Sequence, residues 1–530
     1  MPDAVVIGAG PNGLVAANLL VDAGWDVLVL ETQSEPGGAV RSAELTEPGF
    51  ISDAFSSFYP LAAASPVLRA FDLEAHGLRW RRSPAAFAHP TPDGRCAAVF
   101  SDVDATAATL DEYALGDGDA WRRVYGLWEH IGEALMEALL TPFPPLRAGG
   151  RLAAKLGPGG VLRFLRFGVL PVRRHADEEF AGAGGGNLLA ANALHADFMP
   201  EQPGSTMFGW LLASLAQQVG FPVPEGGAGR LSGALVSRLR SRGGELRCDA
   251  RVGQIVLRRG RAAGVRLEDG SEIPVRRAVL ADVSAPALYL DLVGPEHLPD
   301  GLRADLRRFQ WDSATFKVDW SLDGPIPWTA QLARQAGTIH VAEDMDALSR
   351  HAHHVVLREL PERPFLIFGQ YSMADPTRMP EGREVAWAYT HLPRAPERDA
   401  AGELSGALDT AEAQGAFAER MEAEVEALAP GFRSLIRSRS ILTPSGLQGR
   451  NENLATGALN GGTAQIHQQL VFRPTPGLGR ADTPIRNLYL ASVSAHPGGG
   501  VHGACGANAA RAALAPGRGA RTRLQAFASR

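Results

Sequence analysis

The chain has 530 residues, 45% of them hydrophobic and 21% charged, with a formal net charge of −6. That length exceeds what one small core supports and points to two or more domains, while the mild acidity speaks against an electrostatic nucleic-acid binder. Cys96, Cys248 and Cys505 stand far apart with no C-x-x-C pair, which argues against a disulfide framework, a zinc site and a redox-active dithiol.

The first elements are a strand at Val5, Val6 and Ile7, a G-x-G-x-x-G turn of Gly8, Gly10 and Gly13 enclosing Pro11 and Asn12, a helix, and a second strand from Val27 to Leu30. Such glycines let the backbone approach a pyrophosphate, which then rests on the helix N-terminus. Glu31 closes the second strand, where a carboxylate accepts a ribose 2′-hydroxyl and repels a 2′-phosphate. An unphosphorylated adenine dinucleotide is implied. The next turn, Gly37-Gly38-Ala39-Val40-Arg41-Ser42, places Arg41 near that pyrophosphate or leaves it solvated beside an ordinary glycine turn. Asp53 follows, facing the same pocket.

Residues 121–139 carry Trp121, Val124, Trp128, Ile131, Leu135 and Leu139 at helical steps, a core face. From Leu152 to Arg174, bulky apolar residues alternate with arginines, which suits a surface dipping into lipid headgroups. Gly157, Pro158, Gly159 and Gly160 break any long helix there, and a flexible lid or an oligomer contact is the alternative.

Gly226-Gly227-Ala228-Gly229 leads into a helix from Leu231 to Arg240, then strands at 246–250, 253–258, 264–267 and 272–275, with Asp269-Gly270 as a turn, and a buried strand at Ala278 to Ala281 ending on Asp282. Strands are also expected at 314–322, 365–370 and 385–390, and a helix on the stripe Phe417, Met421, Val425 and Leu428. His351, His353 and His354 read as a solvated loop, without the spacing of a metal site. Near the end come a strand from Leu488, the turn His496-Pro497-Gly498-Gly499-Gly500 and a helix of small residues from Gly503, whose N–H groups suit an electron-rich ring oxygen. An arginine-rich tail follows Pro516.

Gly8-x-Gly10-x-x-Gly13, Glu31, Gly37-Gly38-x-x-Arg41-Ser42 and the terminal HPGGG-V-H-G run resemble the phytoene desaturase-like flavoproteins, relatives of the amine oxidases in the glutathione-reductase-type FAD superfamily. The likeness is greatest to the branch of bacterial carotenoid ketolases and the pyridine nucleotide-disulphide oxidoreductase domain-containing protein 2 group. It extends over nearly the whole chain, through Pro224-Glu225-Gly226-Gly227, Asp375-Pro376, Pro380-Glu381-Gly382 and Phe472-Arg473-Pro474. The resemblance implies an α/β protein: a glutathione-reductase-type FAD-binding Rossmann domain, plus a substrate domain with a mixed β-sheet and helices. The FAD domain is then discontinuous over 1–75, 224–300 and 470–530, with 76–223 and 301–469 as substrate domain. It further implies FAD as cofactor, with the backbone near Val252 on adenine and Gly499, Gly500, Val501 and His502 against the isoalloxazine ring.

The activity implied is hydride removal from an apolar or unsaturated substrate at flavin N5. Lys317 is the leading side chain, because Thr315-Phe316-Lys317-Val318-Asp319-Trp320 resembles the amine-oxidase strand whose lysine holds a water against N5. Its alternative is a lysine snorkelling from a sheet edge. His502 and His496 flank the terminal turn and either relay protons or simply bond loop backbone. An amine oxidase-like reaction is the rival enzyme reading, disfavoured by the lack of an aromatic residue in the terminal run. A binding protein built like the Rab GDP-dissociation inhibitors, keeping FAD as a structural ligand, is the rival outside catalysis. With the first strand at the very N-terminus and no apolar run long enough to span a bilayer, the expectation is a cytoplasmic protein with, at most, a peripheral membrane contact.

Overall fold

The computed structural model describes residues 1–515, so the tail from Pro516 lies outside the described residues. A five-stranded parallel sheet runs in the order Leu488–Leu490, Ala278–Ala281, Ala4–Ile7, Val27–Leu30 and Glu245–Arg247. Its three central strands read AVLA, AVVI and VLVL and are buried throughout, as a sheet covered on both faces requires. Helix Pro11–Asp22 connects the first two strands, with Pro11 at the position where a missing N–H costs nothing. Against this sheet lies an antiparallel trio, Val252–Arg258, Arg261–Leu267 and Glu272–Pro274.

A second, seven-stranded sheet is mixed. Its order is Ile436–Leu442, Ala314–Leu322, Glu384–Leu392, Leu366–Gln370, Ala336–Val341, Ala85–Pro90 and Cys96–Phe100, with one parallel pair between Ala336–Val341 and Ala85–Pro90. Helices Asp117–Leu140, Ala183–His195 and Ser205–Val219 cover one face. Helix Ala411–Leu428 covers the other through Phe417, Met421 and Val425. Both apolar stripes are therefore core, each fully buried side chain contributing on the order of 2 kcal/mol.

Two local expectations are corrected and one is borne out. His351, His353 and His354 lie in helix Met345–Val356, not a loop. Asp344 caps that helix by accepting from Ala347 N–H at 2.8 Å, and Met345, Leu348 and His351 form its buried face. The glycine–proline run does break the helical stretch 146–169 into two, as expected, because Gly157 takes φ +66° and Pro158 opens the second helix. Lys317 is not at an edge: its strand is flanked by Glu384–Leu392 and Ile436–Leu442, and Lys317 is 2% exposed.

Candidate functional site

The glycine turn is built for backbone alone. Gly8 takes φ +91° and donates to the Leu30 carbonyl at 2.8 Å. A Cβ on Gly13 would run into the Gly8 carbonyl, and one on Gly10 would lie 2.6 Å from Asp282 Oδ2. Glu31 is 7% exposed, and its two carboxylate oxygens accept from Ala9 N–H (2.8 Å) and Gln33 N–H (2.9 Å). Further lone pairs remain for a ribose hydroxyl. Ala250 N–H reaches the Glu31 carbonyl, which sets Val252 at the same end of the sheet. Gly38, at φ +56°, abuts Gly10. Arg41 bends back to donate to the Gly38 and Arg450 carbonyls at 3.1 and 2.8 Å, its guanidinium 5.2 Å from the Phe55 ring centre.

Asp282 adds a feature that the motif does not contain. Its Oδ2 accepts from Gly13 N–H at 2.8 Å, so a carboxylate sits on the N-terminus of helix Pro11–Asp22. Burial pushes this carboxyl up to about 7; the Gly13 N–H opposes that rise and the charge of Glu31 adds to it.

At the C-terminal turn, Gly500 takes φ +98°, and a Cβ there would stand 2.6 Å from Leu61. Gly499 packs against Asn460, and Val501 against the core beneath the parallel sheet. Helix Ala504–Leu514 crosses the first helix so closely that Gly506 touches the Asn12 carbonyl. Both His502 nitrogens are occupied: Nε2–H donates to the Gly498 carbonyl at 3.2 Å, and Nδ1 accepts from Ala504 N–H at 3.0 Å. Burial lowers the ring to about 4, so it fastens the turn as a neutral group with no atom free for a proton relay. His496 is tied to the Thr141 carbonyl at 3.1 Å. Arg473, 1% exposed, donates to the carbonyls of Val493, Thr463, Asn460 and Gly462 beneath Gly498.

Lys317 projects from the seven-stranded sheet toward the Arg41–Asp53 segment. Its Nζ donates to the Asp53 carbonyl at 3.1 Å and pairs with Asp319, whose carboxylate is fully buried. The Asp53 carboxylate, which the sequence places in the pocket, is fully engaged. It holds Arg378 (2.8 Å), Tyr371 OH (2.9 Å), Ser42 Oγ (2.9 Å) and Ala228 N–H (2.7 Å). Arg378 also meets Asp375 at 2.9 Å and the Pro224 carbonyl, and Asp375 accepts from Gly226 N–H at 2.7 Å. The motifs around Pro224 and Asp375 thus meet in one buried ion network joining the two sheets' territories. Sequence reasoning missed the roles of Asp319 and Arg378, and it placed Asp282 at a strand end without its contact to Gly13. Only Asp319 carried a legible signal, since K-x-D in a strand places both side chains on one face.

Among the described residues no cluster of three metal-ligating side chains occurs, and no helix is long and apolar enough to cross a membrane. Two surface hollows, beside His351 and Arg363 and beside Arg82 and Gly220, lie away from the glycine turn.

Comparison with known proteins bears out the resemblance read from the motifs. Over 96% of this chain and 92% of the relative, the sequence is 29% identical to pyridine nucleotide-disulfide oxidoreductase domain-containing protein 2 of Mus musculus. It is 25% identical to a phytoene desaturase (neurosporene-forming) of Rhodobacter capsulatus, over 97% and 94%. The fold matches an oxidoreductase from Methanosarcina mazei (TM-score 0.61, 15% identity, 96% and 99% covered) and a putrescine oxidase bound to putrescine (TM-score 0.60, 16% identity, 97% and 98% covered). Residues 12–348 match the flavin containing amine oxidoreductase family, and the chain belongs to that family.

Proposed function

We propose that the protein is an FAD-dependent oxidoreductase that dehydrogenates an apolar or unsaturated organic substrate. The observation that carries this reading is Lys317: a buried ammonium, held by Asp319 and the Asp53 carbonyl, on the sheet face that looks toward the dinucleotide segment. Gly8, Gly10, Pro11, Asn12 and Gly13 would hold the pyrophosphate, Glu31 the ribose and the backbone at Val252 the adenine. Gly38 and Arg41 would close over them, and Gly499, Gly500 and Val501 would back the ring. The residues present fit such a group, because Gly8, Gly10 and Pro11 leave the turn's backbone partly exposed and Glu31 keeps lone pairs free beside it. FAD supplies a two-electron acceptor at its N5 atom. Lys317, its Nζ held by Asp319 and the Asp53 carbonyl, would present its remaining N–H to that edge.

The relatives' names favour isoprenoid substrates. An amine substrate is the second reading. The aromatic frame that the terminal run lacks is offered instead by the sheet, where Trp387 and Tyr389 stack at 6.0 Å and 9° on the Lys317 face. The visible spectrum of the purified protein, before and after anaerobic incubation with polyenes, amines and reduced pyridine nucleotides, tests both. Bleaching by one class identifies it, and a protein that neither contains nor takes up FAD refutes the assignment.

The helical stretch 146–169 supports substrate access from a lipid surface. It exposes Leu162, Leu165 and Val169 beside Arg163 and Arg166. Flotation with anionic liposomes should carry the protein, and Leu162→Glu/Leu165→Glu should abolish it; unchanged flotation refutes this route.

A further inference from the structure

Strand Glu384–Leu392 lies between two neighbours in the seven-stranded sheet, and eight of its nine residues are buried. Tyr389 alone is partly exposed, although burial raises its phenol well above the usual range. A residue flanked by strands on both sides can show surface only from a sheet face, so Tyr389 is accessible on one face of the sheet. The register names that face. Tyr389 is directly opposite Lys317, and directly opposed side chains point the same way.

His391, two residues on, is opposite Thr315 and shares the face. Its Nε2–H donates to the Leu194 carbonyl at 2.9 Å, which leaves Nδ1 as its one remaining polar atom. That nitrogen is buried without a partner, and so is Thr315 Oγ1. The Tyr389 ring meets His391 edge-on at 5.6 Å. From the covering helix comes His195, also partly exposed deep in the layer, with its Nε2 bonded to His340 Nε2 at 2.8 Å. Trp387, Ile367 and Phe58 supply apolar wall around these groups. The unpaired pair His391 Nδ1 and Thr315 Oγ1 lies about 7 Å along the strand from Lys317, in a layer whose face also carries unpaired Trp387 Nε1 and Asp319 Oδ1.

We infer that Thr315, Tyr389 and His391 form a recognition site for a neutral hydroxyl group carried by an otherwise apolar substrate. The inference deepens the oxidoreductase reading and rests on it. A hydroxyl both donates and accepts, so one such group serves His391 Nδ1 and Thr315 Oγ1 together. A hydrocarbon leaves both buried and unpaired. An ammonium would stand near the Lys317 ammonium and a carboxylate near that of Asp319, whereas a neutral hydroxyl meets neither repulsion.

The test is an anaerobic titration of the purified holoprotein with matched alcohol and hydrocarbon pairs: linear C10, monocyclic C10 and isoprenoid C15. Binding is read from flavin absorbance and, in parallel, from tryptophan fluorescence, so that failure of the flavin assignment shows before any ligand is added and leaves the preference measurable. The alcohol should bind at least about tenfold more tightly in one or more pairs. His391→Phe and Thr315→Val should each bring the preference within about twofold, with the hydrocarbon affinity held, and Thr315→Ser should keep it. The inference is overturned if no pair shows a preference, or if the preference survives both substitutions.

Discussion

Replacing Asp282 with asparagine isolates the charge on the N-terminus of helix Pro11–Asp22. The amide oxygen still accepts from Gly13 N–H, so the change removes charge and little else. The carboxyl stands at about 7 in the fold against an ordinary value of 3.8, a rise of about three units or about 4 kcal/mol. The sign follows from linkage. The fold binds this proton more tightly than the unfolded chain does, so the contribution is complete below pH about 4. It is lost as pH climbs toward 7 and stays lost above. Asp282→Asn should therefore stabilise the flavin-free protein by about 2–4 kcal/mol at pH 8, by about 1 kcal/mol at pH 4.5 and by almost nothing near pH 3. With an unfolding entropy on the order of 1 kcal/mol/K for a chain this long, the midpoint should rise by about 2–4 °C at pH 8. Thermal unfolding followed by circular dichroism at the three pH values measures it. A variant with the same offset at all three, or one less stable than the parent at pH 8, refutes the reasoning. The same charge opposes a pyrophosphate, so FAD affinity in the native protein should weaken between pH 6 and 8 while the variant stays flat.

Gly13→Val should abolish flavin retention, because its side chain would enter the Gly8 carbonyl; a variant that purifies yellow contradicts the cradle. Lys317→Met should leave FAD bound yet slow its reduction by substrate at least about tenfold, and unchanged stopped-flow kinetics return Lys317 to a structural role. Arg378→Met strands the buried carboxylates of Asp53 and Asp375 and should cost about 3–5 kcal/mol in urea unfolding, so a loss below about 1 kcal/mol shows that the network is dispensable. His502→Gln should leave the shape of the pH profile for flavin reduction unchanged, since both ring nitrogens are already bonded to backbone; a limb lost between pH 5 and 7 assigns the ring a proton after all.

The sequence alone determined what depends on neighbours a few residues apart. The strand–turn–helix–strand of residues 4–30 was legible because two buried strands, three glycines and a carboxylate fall within one local unit. Strand Ala314–Leu322 and the stripes on 117–140 and 411–428 were legible because side chains repeat with the period of their own backbone. Tertiary structure decided the pairings. Asp53 meets Arg378 from 325 positions away, and Gly13 meets Asp282 from 269. No local period encodes which buried charge answers which. The same holds for Lys317, whose strand takes its central place only once two later segments, 384–392 and 436–442, pair along its sides. His502 showed in sequence as a histidine beside a glycine turn. Which atoms its two nitrogens touch was settled by how that turn folds back on its own backbone, and a ring with no free nitrogen holds a loop rather than moving a proton.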